Sequence, residues 1–369
     1  MNNTLKIILF FSILCGCKLS AQTQTYFNKV IEGGDTMNIT LPNVLEVDNG
    51  YIAFGGYGTL NGAYVAAYKL DSIGNVIWRS TLDSDPEISL TFVNKFFMKT
   101  TTNEFMGCYL KRKSVNGNET DIAVTKFNDD GEILWQNQYG TLNNENCLGG
   151  IGTSDGGAII VGTSQVTGFY TDAYILKITG EGELEWQKTF SSLTHSLAYS
   201  VIELEDGNFV IGGYGGEEVD NADIMLIKLN SNGDLIWSKF MGSSATECAP
   251  VISKWKDNSF LLTSCTKITG TTELYILEVD TGFNEIWSTT LNPLETQISI
   301  QKQIVKPDKG FIGVGHYDGV LGRDHPYIID FDSLANINWM ITPTLTTSED
   351  CYLRGLDSTK DGGYILSGA

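Results

Sequence analysis

Tryptophan returns along this chain at a nearly constant interval. Trp78, Trp135, Trp186, Trp237, Trp287 and Trp339 are spaced by 57, 51, 51, 50 and 52 residues. The same phrase surrounds each one. KLDSIGNVIW (69–78), KFNDDGEILW (126–135), KITGEGELEW (177–186) and KLNSNGDLIW (228–237) are close copies, and EVDTGFNEIW (278–287) and DFDSLANINW (330–339) are degraded ones. A second turn follows each tryptophan, at Asn103-Glu104, Asp155-Gly156-Gly157, Asp206-Gly207, Asp257-Asn258, Asp308-Lys309-Gly310 and Asp361-Gly362-Gly363. A chain with a fixed internal period stacks similar units, because one unit of this size cannot bury its apolar faces alone.

Each unit divides into four short runs of strand-forming residues. In the third copy they are CLGGIGT, GAIIVGTS, AYILKIT and LEWQKTF, bounded by Gly, Asp and Asn turns. Four strands per ~50 residues is the mark of a β-propeller blade. The fold class is therefore all-β, a propeller of four-stranded blades, with the tryptophans packed between neighbouring blades. Seven blades are expected, with six and eight as alternatives. TYFNKVIEGG (25–34) reads as an orphan fourth strand, and DGGYILSGA at the other end supplies only two strands of a further blade. The N-terminal strand would close that last blade and remove the open sheet edges. Residues 22–369 are thus expected to be six full repeats plus a partial one, a C-terminally incomplete propeller.

Residues 1–21 read as a secretory leader, with Lys6, the apolar run 7–14 and a small-residue cleavage site ending at Ala21. Leu14-Cys15-Gly16-Cys17 also resembles a lipoprotein box with Cys17 as the lipidated residue. Either way the chain is expected outside the cytoplasm, secreted or on an outer-membrane surface, and no stretch is long and apolar enough to span a bilayer. The 44 Asp and Glu against 24 Lys and Arg give a net charge of −20. Losing the leader removes two lysines and no acid, so the mature chain is more negative still. Such a field repels phosphate, which argues against a nucleic-acid partner. The expectation is a monomer.

Antiparallel order puts the regular Gly turns on one rim and the irregular loops on the other. Variable loops on a rigid scaffold are where binding concentrates. The irregular rim carries Tyr57, Tyr170, Tyr214 and Tyr317 with Glu217, Glu218, Asp220, Arg323 and Asp324. Tyrosines beside carboxylates suit sugars, so these are the candidate ligand residues. Glu145, Glu247 and Glu349, beside Cys147, Cys248 and Cys351 at one repeat position, are expected at the channel mouth. With Cys108 and Cys265 the mature cysteines number five, and mutual disulfides among the three equivalents are not expected. No catalytic residue, metal ligand set or cofactor is predicted; the acidic loops suit Ca²⁺, although no EF-hand ligand string is present. The enzyme question is left open, leaning towards none. A non-enzymatic module binding glycan, surface polymer or a surface protein leads; a polysaccharide hydrolase or lyase, or its targeting domain, and a plain structural spacer are the alternatives.

The phrase DGGYI…DAYILKLD-x-x-G-x-x-x-W resembles the propeller repeats of secreted bacterial surface proteins, many of which end in a type IX secretion sorting domain. The resemblance spans residues 25–369 and implies export and display. The Trp four residues after Gly74 is similar to quinoprotein repeats, which implies a related way of docking blades. Quinoprotein pockets carry adjacent cysteines; the mature chain has no Cys-Cys pair, so that cofactor does not carry over.

Overall fold

The computed structural model describes residues 7–11, 29–31, 38–59, 62–84, 88–89, 96–101, 103–114, 117, 119–167, 170–191, 195–216, 222–243, 245–248, 250–268, 270–318, 323–343 and 351–368. Among these, the strands fall into seven antiparallel sheets. Six are blades of contiguous chain, at 38–83, 88–139, 144–190, 195–241, 246–291 and 298–341. In the third blade Asn144–Gly152, Ala158–Thr167, Tyr170–Ile178 and Leu184–Phe190 pair in simple succession, as the repeat predicts. The six contiguous blades match the six full repeats; as the count of the whole propeller, six is the alternative to the seven expected. The seventh sheet pairs Leu353–Ser358 with Tyr364–Gly368, followed by Ile7–Phe11 and then Lys29–Ile31. Lys29–Ile31 takes the fourth place expected of residues 25–34. The third place is held by Ile7–Phe11, whose run of β-branched and aromatic residues suits a strand although it lies in the segment read as a leader.

Successive sheets touch around the whole circuit, and the seventh contacts both the sixth blade and the first. Period-two alternation does the packing. Ile365 joins a core with Leu41, Val44 and Tyr68 of the first blade. Its neighbour Leu366 faces the other way, into a core with Ile312, Val314 and Ile328 of the sixth. Third strands are buried along most of their length, whereas fourth strands such as Leu235–Met241 form the partly exposed outer edge.

The recurrent phrase has a mechanical explanation in three parts. Its Asp or Asn caps the turn: Asp71 Oδ1 accepts from the amides of Ile73 (3.0 Å) and Asn75 (2.8 Å). Its Gly adopts a left-handed φ, +79° at Gly131, +84° at Gly182 and +77° at Gly233, and the preceding blade's tryptophan lies on it. Trp186 Nε1 donates to Ser231 O at 3.0 Å across the same seam. In blades two to four its opening Lys forms an ion pair with the acid at the turn between the first two strands, as Lys177 does with Asp155 at 2.8 Å; Lys69 of the first blade pairs instead with Asp129 of the second. In the two degraded copies the signs exchange. Glu278 pairs with Lys256 and Asp330 with Lys306, each at 2.8 Å. From the second blade to the sixth, the variable K/E/D position is one ion pair written in either direction.

Candidate functional site

The irregular rim and the axial channel form one region, built from the innermost strands and the ends of the second strands. A cavity of about 340 Å³ opens on the axis, lined by Leu197, Tyr199, Tyr214, Ser264, Ser299 and Gln301 among others. Tyr199 Oη donates to Gln301 Oε1 at 2.9 Å, joining the fourth blade to the sixth. Burial pushes the Tyr214 phenol above its ordinary value, so it stays a neutral donor. The lining is two phenols, hydroxyls and an amide on an apolar floor.

The predicted residues separate. Tyr214 reaches the cavity wall. Tyr170 is exposed at the rim and stacks on His195, ring centres 5.3 Å apart. Tyr317 stacks on His325 at 5.5 Å, and Asp324 lies 3.9 Å from His316 Nε2 while its carbonyl accepts from the Cys351 amide. Arg323 is half-buried beside it. Tyr57 corrects the expectation of a rim display: it is only 7% exposed. Its ring stacks on Tyr64 at 4.8 Å, Arg79 covers it, and its hydroxyl meets Thr81 Oγ1 at 2.9 Å. Tyr57 sits on the inward-facing side of its strand, so alternation takes it into the seam. Glu217, Glu218, Asp220 and Glu349 lie outside the described residues.

Glu145 and Glu247 do not stand open at a channel mouth. Both are buried, at the junctions between blades two and three and between blades four and five. Each carboxylate caps the loop that joins the blades, accepting from Thr141 Oγ1 in one case and from Ser243 Oγ and the Ser243 amide in the other. Among the described residues no three His, Cys, Asp or Glu side chains are grouped to hold a metal. Among the described residues there is no helix long and apolar enough to cross a membrane.

The cysteines also depart from the expectation of three equivalents. Cys248 forms a disulfide with Cys265. In register it matches Asn146, not Cys147, because Glu145 and Glu247 correspond. One residue of offset turns a side chain to the other face of a strand, so Cys248 lines the axial cavity while Cys147 lies in the seam against Cys108, Sγ to Sγ 2.7 Å. Ser264 stands where the third and fourth blades have Gly162 and Gly213. A Cβ at either glycine would collide with the carbonyl of the innermost strand. In the fifth blade that strand is broken after Glu247, and Ser264 Oγ donates to the displaced Cys248 carbonyl at 2.6 Å. The disulfide therefore spans the place where glycine's close approach is lost. The exchange of Gly for Ser beside a Cys, at one repeat position, was the available signal in the sequence.

A second, larger depression of about 1030 Å³ lies on the opposite rim, among the regular turns, and includes Glu203, Glu205, Asp206, Lys228 and Lys254. Both of its lysines are paired within it, Lys254 with Glu205 and Lys228 at 3.7 Å from Asp206, while Glu203 accepts from Ser154 and Asp257 pairs with Lys309.

No protein-family model matches this chain, and no curated protein matches it either. Solved structures do. A protein of unknown function from Dyadobacter fermentans superposes with a TM-score of 0.50 at 10% identity, covering 74% of this chain and 93% of that one. A mutant apocarotenoid oxygenase from Synechocystis gives 0.50 at 11% identity, covering 84% of this chain and 72% of that one. An ulvan lyase of a polysaccharide lyase family gives 0.49 at 8% identity, covering 69% and 72%. At these identities the likeness concerns the propeller fold alone.

Proposed function

We propose that this chain is an exported, non-enzymatic binding or display module whose ligand is a glycan or a sugar-bearing surface polymer. One observation carries the reading: the axial cavity combines tyrosine rings with hydroxyl and amide groups and no lysine or arginine. Aromatic faces stack on the CH patches of a sugar ring while neutral donors and acceptors meet its hydroxyls. A volume of about 340 Å³ falls at the lower end of small-ligand sites, which fits one or two sugar units of a longer chain. The exposed Tyr170–His195 stack on the same side extends the apolar surface towards solvent. A seven-bladed ring supports this arrangement. It is favoured by the opposed packing of Ile365 and Leu366 against both neighbours. Export by a leader ending at Ala21, or by a lipid on Cys17, and a type IX sorting segment belong to the same proposal, as does the monomeric state.

Affinity electrophoresis through gels containing plant, algal and bacterial polysaccharides tests it. Retardation by one polymer, lost in Tyr214→Ala and reduced in Tyr170→Ala, is the expected result. Unchanged mobility in every polymer would refute it. Release of reducing ends from the retarding polymer would transfer the site to a hydrolase or lyase. The intact mass of the exported protein locates the cleavage or lipidation point.

A further inference from the structure

Two junctions of this propeller correspond residue by residue at an offset of 102, and one difference between them changes their charge balance. Between blades two and three, Asp121, Gly140 and Glu145 converge. Thr141 Oγ1 and Ser164 Oγ both donate to Glu145 Oε1, which leaves Oε2 facing Asp121. Lys113 fills the space between them: its Nζ lies 3.2 Å from Asp121 Oδ1 and 3.4 Å from Glu145 Oε2. It also donates to the carbonyls of Thr141, at 2.7 Å, and Asn143. One ammonium thus sits in a nest of two carboxylates and two main-chain oxygens.

Between blades four and five the nest is repeated by Asp223, Gly242 and Glu247. Ser243 Oγ and Thr266 Oγ1 donate to Glu247 Oε1, and the Ala245 amide donates to Ser243 Oγ at 3.0 Å, as the Asn143 amide does to Thr141 Oγ1. A Cβ placed on Gly242 would collide with Glu247 Oε2 and stand 3.2 Å from Asp223 Oδ1. One on Gly140 would likewise collide with Asp121 Oδ1 and stand 2.8 Å from Glu145 Oε2. In both junctions the two acids address one small space. The ammonium is what differs. Among the described residues no lysine or arginine pairs with Asp223 or Glu247, and the sequence from Gly213 to Asp223 contains neither residue type. Glu247 is 2% exposed, and its Oε2 is buried with no hydrogen-bond partner.

We propose that the Asp223–Glu247 junction binds a hard divalent cation, Ca²⁺ by its chemistry, in the place that the Lys113 ammonium occupies one junction earlier. A buried carboxylate facing a second, half-buried one is costly unless a cation or a proton neutralises the pair. The donors are all oxygen: the two carboxylates, and the carbonyls of Ser243 and Ala245 that correspond to those binding Lys113. Oxygen sets select Ca²⁺ over the softer transition metals. The site is separate from the axial cavity, so its fate does not depend on the glycan reading.

Calorimetric titration of CaCl₂ into the full, chelator-treated protein, alongside its melting temperature, provides the test. The expected result is one ion per chain with a Kd of about 10⁻⁴–10⁻³ M, the range of extracellular sites, and a higher melting temperature. Asp223→Asn and Glu247→Gln, both isosteric, should each weaken binding at least about tenfold. Lys113→Met should raise the stoichiometry to two by opening the equivalent nest. No binding to the parent protein at millimolar CaCl₂ would overturn the proposal, since the acids would then share a proton. Full binding in both acid variants, or a stoichiometry still at one in Lys113→Met, would overturn it equally.

Discussion

Adding a single methyl group at Gly233 tests whether the tryptophan-on-glycine contact is what couples one blade to the next. Gly233 has a φ of +77°, and a Cβ there would come 2.7 Å from the Trp186 ring. Gly207 provides the control: its φ is +76° and a Cβ would meet nothing within 4 Å. A left-handed backbone costs an L-residue about 1–2 kcal/mol, and removing glycine's freedom from the unfolded chain returns about 0.4–1 kcal/mol. Gly207→Ala should therefore cost about 0.5–1 kcal/mol. Gly233→Ala carries the same balance plus the expulsion of an indole from its seat, an overpacking cost of about 1–3 kcal/mol. Its total should reach about 1.5–4 kcal/mol. Guanidinium unfolding followed by far-ultraviolet circular dichroism measures both without relying on Trp186 emission. In a Trp186→Leu background the excess should disappear and leave only the backbone cost, because nothing rigid then lies over the turn. Equal destabilisation by the two alanines in the parent protein would refute the coupling.

Two further outcomes follow from local geometry. Lys309 holds a left-handed φ of 65° at the place of Gly207 in its own blade, and its ammonium meets Asp257 only at an exposed 3.5 Å. Lys309→Gly should stabilise by about 0.5–1 kcal/mol in the same unfolding assay, since the relief of about 1–2 kcal/mol exceeds glycine's entropic cost; a destabilised variant would disprove it. Asp155 concerns pH. Desolvation raises its carboxyl, but hydrogen bonds from Lys177, Thr153 and the Gly157 amide prevail and hold it at about 2. A depressed carboxylate contributes stability that is present above its unfolded value of 3.8 and is lost as pH falls towards about 2. Asp155→Asn should therefore flatten the stability profile in that window. The side chain is 56% exposed, so solvent screening keeps the loss at neutral pH near 1 kcal/mol. A variant with the parent's acid slope would refute the assignment.

The repeat made blade architecture legible because its causes are local and recur. An Asx-capped turn, a glycine with positive φ and an indole four residues later are short-range requirements, and each copy states them again. The paired charges were legible too, had the exchange of Lys177–Asp155 for Glu278–Lys256 been read as compensation. Tyr57 leaves the rim for an equally local reason. Its sequence neighbours resemble a loop edge, yet alternation along Gly50–Thr59 turns its ring towards Tyr64. The offset between Cys147 and Cys248 hid in the same way, one residue of slippage being invisible until the strands are paired.

What the sequence determined by itself is the unit: four strands, its turns, the docking tryptophan, and the acidic surface that follows from composition. What only the tertiary structure decided is which distant residues share a space. Tyr199 meets Gln301 across 102 residues of chain, Cys248 is released from the glycine-tight contact and joined to Cys265, and Asp223 faces Glu247 with no ammonium between them among the described residues. These depend on closing the ring, since the axis and the seams are made by different blades. A period in one dimension repeats the causes of a blade, but the departures from that period acquire a chemical meaning only where the blades converge.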